Sequence, residues 1–209
     1  MTGKPPPIPQ PDSFAFTPEN LKQAEAIIAK YPSGFQQSAV LPLLDLAQRQ
    51  SGNWLPRAAM DYVAGLLKMP PIRVYEVATF YSMFNLAPVG KHFIQLCRTT
   101  PCWLRGSDDI EKACRDKLGI GPGESTADGL FTVREVECLG ACVNAPVVQI
   151  NDDFYEDLDA ASMTKLIEAL ARGEKPKPGS VTGRQGSAPQ GGPTTLRNVP
   201  ARGTGAGGS

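Results

Sequence analysis

The sequence predicts an α+β chain: a small N-terminal helical bundle, then a unit of short strands and helices, then a flexible tail. Three observations predict it. Between residues 17 and 88, apolar residues recur at helical spacing in four short segments, each bounded by proline or glycine. From residue 89 the pattern changes to short β-branched and aromatic runs separated by helical stretches. From residue 174 apolar content falls, and Gly and Pro make up 14 of the remaining 36 residues, more than a packed segment usually carries.

Residues 1–16 are rich in proline and polar residues and are expected to lack fixed structure. Thr17 followed by Pro18 is a helix start, an N-cap hydroxyl and then proline at the first helical position. Leu21, Ala24, Ile28 and Tyr31 continue that helix, and Pro32 with Gly34 ends it. A second helix follows Ser38 with the stripe Val40, Leu43, Leu44 and Ala47, and Gly52 stops it. Pro42 falls early there, where a missing N–H costs least. A third helix starts at Pro56 with Ala59, Tyr62, Val63 and Leu66 on one face. Pro70-Pro71 closes it and opens a fourth, lined by Val74, Val77, Ala78 and Tyr81. These stripes are best explained as core packing. The segment Thr79-Phe80-Tyr81-Ser82-Met83-Phe84 is the best candidate for a partner-binding face, because its aromatics wrap round more than one side.

His92-Phe93-Ile94-Gln95-Leu96 is mostly apolar on both faces, as in a central strand, and delivers the chain to Cys97. A helix follows near Ser107, with Asp108 and Asp109 favourably placed at the positive end of its dipole. Its stripe is Ile110, Ala113, Cys114 and Leu118, and Gly119 ends it. A second strand, residues 131–136, runs toward Cys138. Residues 147–150 and 154–156 read as a hairpin about Asn151-Asp152-Asp153, where the aspartates serve as turn residues. A last helix carries Met163, Leu166, Ile167 and Leu170. The order is β-α-β-β-β-α. The expected organisation is a flexible N-terminus over 1–16, a helical bundle over 17–88, a sheet-bearing unit over 89–173 and a flexible, weakly basic tail over 174–209.

Composition narrows the function classes. At 209 residues and 41% hydrophobic content the chain has room for one or two packed domains. Net charge is zero, with +4 on the tail and −4 on the rest, so no global basic field recruits nucleic acid or anionic membrane. No run approaches the roughly 18 apolar residues of a membrane span, and the N-terminus lacks a signal-like apolar run. A soluble protein is expected in the compartment where it is made. Disulfides are uncommon there, which leaves the thiols available. There is no Gly-rich nucleotide loop and no nucleophile elbow.

The chemistry-bearing residues are four cysteines in two close pairs. Cys97 and Cys102 enclose four residues, Cys138 and Cys142 enclose three, and 35 residues separate the pairs. Four thiolates can ligate an iron–sulfur cluster or a zinc ion. Spacing alone favours a two-iron cluster. Structural zinc is the next reading, weakened by the three-residue gap, since C-x₂-C knuckles are commoner. Thiol–disulfide chemistry and unliganded cysteines stay open, although no C-x-x-C is present. Both loops follow strands, where ligands gather in open α/β sheets. Thr99, Thr100, Gly140 and Ala141 suit N–H donation to a negative cluster. Cys114, on a helix stripe, is expected to be a buried hydrophobe. His92, the single histidine, is expected to be structural; Rieske-type ligation needs two.

The runs Cys97-Arg98-Thr99-Thr100-Pro101-Cys102-Trp103-Leu104-Arg105-Gly106 and Glu137-Cys138-Leu139-Gly140-Ala141-Cys142-Val143-Asn144-Ala145-Pro146 resemble the two cluster loops of the small 2Fe–2S E subunit of NADH–quinone oxidoreductase, respiratory complex I. The helical region, including Ala78-Thr79-Phe80-Tyr81, is similar too, and the resemblance covers about residues 18–172. It implies a thioredoxin-like ferredoxin fold for the second unit, and one 2Fe–2S cluster on Cys97, Cys102, Cys138 and Cys142. It implies an electron-transfer role in which the cluster exchanges an electron with FMN. FMN and NADH would be bound by a partner flavoprotein, with the larger iron–sulfur subunit as a further partner. The chain would lie peripherally on the cytoplasmic side of the bacterial inner membrane and catalyse nothing alone. Related subunits occur in NAD-linked formate dehydrogenases and hydrogenases, and the cluster loops do not separate these assemblies. The alternative from another class is a zinc-stabilised interaction module.

Overall fold

The computed structural model describes residues 8–184, 191 and 195. These fall into two compact units that divide between Lys91 and His92.

The first unit holds four helices: α1 (Pro18–Ile28), α2 (Val40–Gln50), α3 (Arg57–Leu66) and α4 (Pro71–Phe80). Thr17 caps α1, its hydroxyl accepting from the Asn20 N–H at 3.2 Å. A 3₁₀ turn over Gln36–Ala39 leads into α2. The expected stripes supply the core: Ala24, Leu43, Leu44, Ala47, Ala59, Val63, Val74 and Ala78 are all buried. Gln48 is buried with them and satisfied. Its Nε2 donates to the Met83 carbonyl at 3.0 Å, and its Oε1 accepts from the Asn85 N–H at 2.7 Å. In the segment 79–84, Phe84 is core, whereas Phe80 is 80% exposed and Tyr81 and Met83 also face solvent.

Residues 8–16 form no helix or strand, yet they are not loose as expected. Phe14 and Phe16 pack edge-on against Tyr62 of α3, with ring centroids 5.5 and 5.3 Å away. Gln50 Nε2 donates to the Ala15 carbonyl at 2.8 Å. Two aromatics in a proline-rich stretch suffice to anchor it, because each buries a large apolar area.

The second unit is a five-stranded sheet with three helices. In chain order it comprises β1 (His92–Cys97), α5 (Thr100–Leu104), α6 (Ser107–Leu118), β2 (Phe131–Val136), β3 (Val148–Ile150), β4 (Asp153–Glu156), α7 (Ala160–Ala171) and β5 (Gly179–Ser180). The strand order is β2-β1-β3-β4-β5. β1 pairs parallel with β2 and antiparallel with β3, which explains its apolar residues on both faces. α6 packs on α7 and on β1. Ile94, Ile110, Cys114, Val133, Ile150, Met163 and Ile167 fill the space between.

Two elements were not expected. α5 is a short helix within the first cysteine loop, with Pro101 in its first turn. β5 lies inside the stretch expected to be a structureless tail, pairing parallel with the end of β4. Two residues give no periodicity to detect, and their pairing is dictated by the edge that β4 offers. The remainder of that expected tail, apart from residues 191 and 195, lies outside the described residues.

Candidate metal centre

Strand register brings the two cysteine loops together. β1 and β2 are parallel neighbours in which Cys97 stands opposite Val136, two residues before Cys138. Parallel neighbours roughly 4.8 Å apart release their loops at the same edge of the sheet. Cys102 arrives on α5, which packs against the 3₁₀ turn Cys142–Asn144. Gly140 bends the second loop with φ 81°, a left-handed conformation that glycine adopts without strain.

Contacts across the loops are direct. The Leu139 N–H of the second loop favours the thiolate form of Cys97 in the first. The Thr99 hydroxyl lies 3.3 Å from Cys97 Sγ and also reaches Cys138. Cys138 Sγ and Cys142 Sγ are 3.3 Å apart, and the Gly140 N–H points at Cys138 Sγ from 3.4 Å. Cys97 and Cys102 are buried with Ala145 and Val147, under Leu139 and Phe154. Cys138 and Cys142 are exposed.

The protonation pattern follows from these neighbours. Burial pushes the Cys97 thiol up, but the Thr99 hydroxyl and the Leu139 and Thr99 N–H groups outweigh it and hold it below the ordinary cysteine value. The Gly140 N–H, then the Cys142 thiol and the Thr99 hydroxyl, lower Cys138 as well. Cys102 is pushed up to about 12, by burial and then by its bond to Cys97. Cys142 is raised by donating to Cys138 and by its own desolvation. Each close pair thus has one sulfur prepared for negative charge and one thiol that holds its proton; binding a metal would release that proton.

The donor set fits a two-iron cluster. It consists of four sulfurs in two pairs with N–H and hydroxyl donors aimed at them, which offset the charge of thiolates and sulfides. Among the described residues, no three or more His, Cys, Asp or Glu side chains are gathered closely enough to hold a metal ion. A two-iron cluster has a wider demand, since its four thiolates are shared between two metals bridged by sulfide. Of the small residues expected to offer N–H groups, Thr99 and Gly140 do so. The bridging role of the Thr99 hydroxyl and the Leu139 N–H was not readable from sequence, because both cross between loops.

The other sequence candidates lie elsewhere. Cys114 sits among Ile94, Ile110 and Met163 in the sheet core, pushed up to about 12 by burial and then by Glu111. His92 lies against Phe131 with ring centroids 5.3 Å apart. Arg98, next to Cys97, ties the first loop to α6 and β2 through Asp108 at 2.6 Å, Glu111 at 2.5 Å and Glu135 at 3.4 Å. Three large apolar side chains, Trp103, Leu104 and Val143, stand exposed beside Cys102 and Cys142.

Comparison with known proteins agrees with this architecture. The chain is 67% identical over 156 residues to the E subunit of NADH-quinone oxidoreductase from Rickettsia typhi, covering 75% of this chain and 92% of that one. It is 52% identical over 187 residues to the mitochondrial NADH dehydrogenase (ubiquinone) flavoprotein 2 of Dictyostelium discoideum, covering 90% of this chain and 76% of that one. Among solved structures it resembles an NAD+-reducing NiFe hydrogenase in the H2-reduced state, with a TM-score of 0.56 and 27% identity. That match covers 65% of this chain and 23% of the hydrogenase chain. The family model for the thioredoxin-like 2Fe-2S ferredoxin matches residues 24–171. With most of the helical unit and both cysteine loops inside that span, the chain belongs to the thioredoxin-like 2Fe-2S ferredoxin family.

Proposed function

We infer that the chain is the 2Fe–2S electron-transfer subunit of the NADH-oxidising module of a respiratory complex I, the assembly that its relatives' names designate. One observation supports this: the two cysteine loops are released at the same edge by adjacent parallel strands, with hydroxyl and N–H donors beside Cys97 and Cys138. Cys97, Cys102, Cys138 and Cys142 are the ligands in this proposal. The cluster, when bound, supplies a one-electron redox centre.

The chain's own residues do the rest. Buried Cys97 and Cys102 anchor the inner side of the site, while exposed Cys138 and Cys142 leave its outer side at the surface, open to a partner. Trp103, Leu104 and Val143 give that surface an apolar collar suited to docking. FMN and NADH belong to partner subunits. The proposed partners are the flavoprotein that holds them and the larger iron–sulfur subunit of the module. Among the described residues no helix is long and apolar enough to cross a membrane, which supports peripheral attachment, proposed on the cytoplasmic side of the inner membrane. The equivalent component of an NAD-linked hydrogenase is the second reading, supported by the structural likeness. Identity of 67% against 27% favours complex I.

The test is compositional and spectroscopic. Full-length protein purified without oxygen is expected to be brown, to contain equal iron and acid-labile sulfide, and to give one 2Fe–2S EPR signal on reduction. Cys138→Ala should abolish the signal and Cys114→Ala should keep it. Colourless protein with stoichiometric zinc and no sulfide would defeat the proposal and establish the zinc module instead.

A further inference from the structure

The second cysteine loop is held by Asp157 together with Ser180 and Arg184, the last two of which follow residue 171. Asp157, in the turn between β4 and α7, is the centre of the grip. Its backbone N–H donates to the Asn144 carbonyl at 2.8 Å. Its carboxylate, only 9% exposed, accepts from the Ser180 hydroxyl at 2.5 Å and from Arg184 Nε at 2.8 Å. Arg184 closes the circuit, because its Nη2 donates both to the same carboxylate and to the Val143 carbonyl, the latter at 2.6 Å. Val143 and Asn144 are the two residues after Cys142, and the three together form the 3₁₀ turn. Two successive carbonyls of that turn are therefore held from one point. Arg184 reaches it because β5 pairs with the end of β4, with Ser180 opposite Glu156. The Arg184 side chain is 16% exposed; its bonds to Asp157 are partly buried, while the bond to the Val143 carbonyl is exposed.

We propose that Arg184, delivered by β5, is a positioning residue for the cluster: it fixes the turn that carries Cys142. The proposal rests on Cys142 being a ligand. Lysine cannot replace it fully, since a single ammonium lacks the planar fork that spans a carboxylate and a carbonyl together.

The test uses the full-length, cluster-loaded chain and reads the loop itself. Removing Arg184 frees the Val143 carbonyl, so Arg184→Ala should raise amide exchange across residues 142–145 about tenfold, as loss of a charge-assisted bond implies. It should also broaden or shift the EPR spectrum of the reduced cluster, with partial recovery in Arg184→Lys. The double variant Arg184→Ala/Asp157→Asn removes the carboxylate charge left unpaired, and should keep the loosened loop and the altered spectrum. Lys117→Ala breaks the bridge to Glu168 between α6 and α7, away from the turn, and should change neither readout. Wild-type exchange across 142–145 in both Arg184→Ala variants would overturn the proposal. A wild-type chain without any cluster signal would instead overturn the ligand assignment, and the exchange comparison would still decide the role of Arg184.

Discussion

The four clustered sulfurs are not chemically equal in the metal-free chain. Cys97 and Cys138 are lowered toward thiolates, while Cys102 is raised by burial and then by its bond to Cys97, and Cys142 by its bond to Cys138. Exposure separates them again, since only Cys138 and Cys142 are open to reagent. Iodoacetamide should therefore label Cys138 first in the metal-free protein. A lowered pKa means more thiolate at a given pH, so its labelling should persist below the usual cysteine range near pH ~8.5. Buried Cys102 and Cys114, both near 12, should label last. Peptide mapping by mass spectrometry measures the order, and early labelling of Cys114 would contradict it. At this scale the sequence was informative where a helix stripe carries the signal, as for Cys114, buried in the sheet core as expected. It was silent where a group acts across strands. Nothing local to Thr99 says that its hydroxyl will influence Cys138, and nothing local to Arg184 says that a Gly/Pro-rich stretch will return to the turn at Cys142.

Elements were readable in proportion to their length and their caps. α1 was marked by Thr17-Pro18 and α6 by its stripe and Gly119, and both lie where expected. α5 and β5 escaped because five and two residues complete no apolar period. α7 shows what a local signal contributes. Asp159 caps it in a reciprocal box: its carboxylate accepts from the Ser162 N–H at 2.7 Å, and the Ser162 hydroxyl accepts from the Asp159 N–H at 2.8 Å. α7 supplies Met163 and Ile167 to the core beneath the sheet, so fraying its first turn weakens the whole second unit. Asp159→Ala should cost about 1 kcal/mol in urea unfolding, with Asp159→Asn costing less because its amide oxygen can still accept. Equal losses in the two variants would indicate that charge near the helix end, and not the bond, is what matters.

At the scale of the molecule, the two units have separate cores. The helical cluster runs from Phe16 to Phe84 and the sheet cluster from Ile94 to Leu170, with no residue in common. All four candidate ligands belong to the second unit. A cavity made in one core should therefore be felt there first. Leu43 and Ile94 are each fully buried in their own clusters, and truncating either to alanine should cost about 2–5 kcal/mol. Leu43→Ala should lower the melting of the helical unit while the reduced chain keeps its EPR signal at full intensity. Ile94→Ala, in the strand that ends on Cys97, should reduce cluster retention along with stability. Calorimetry and EPR on the same preparations separate the two outcomes. If Leu43→Ala also lost the cluster, the units would have to fold as one cooperative body, and the helical bundle would then be part of what holds the metal site together.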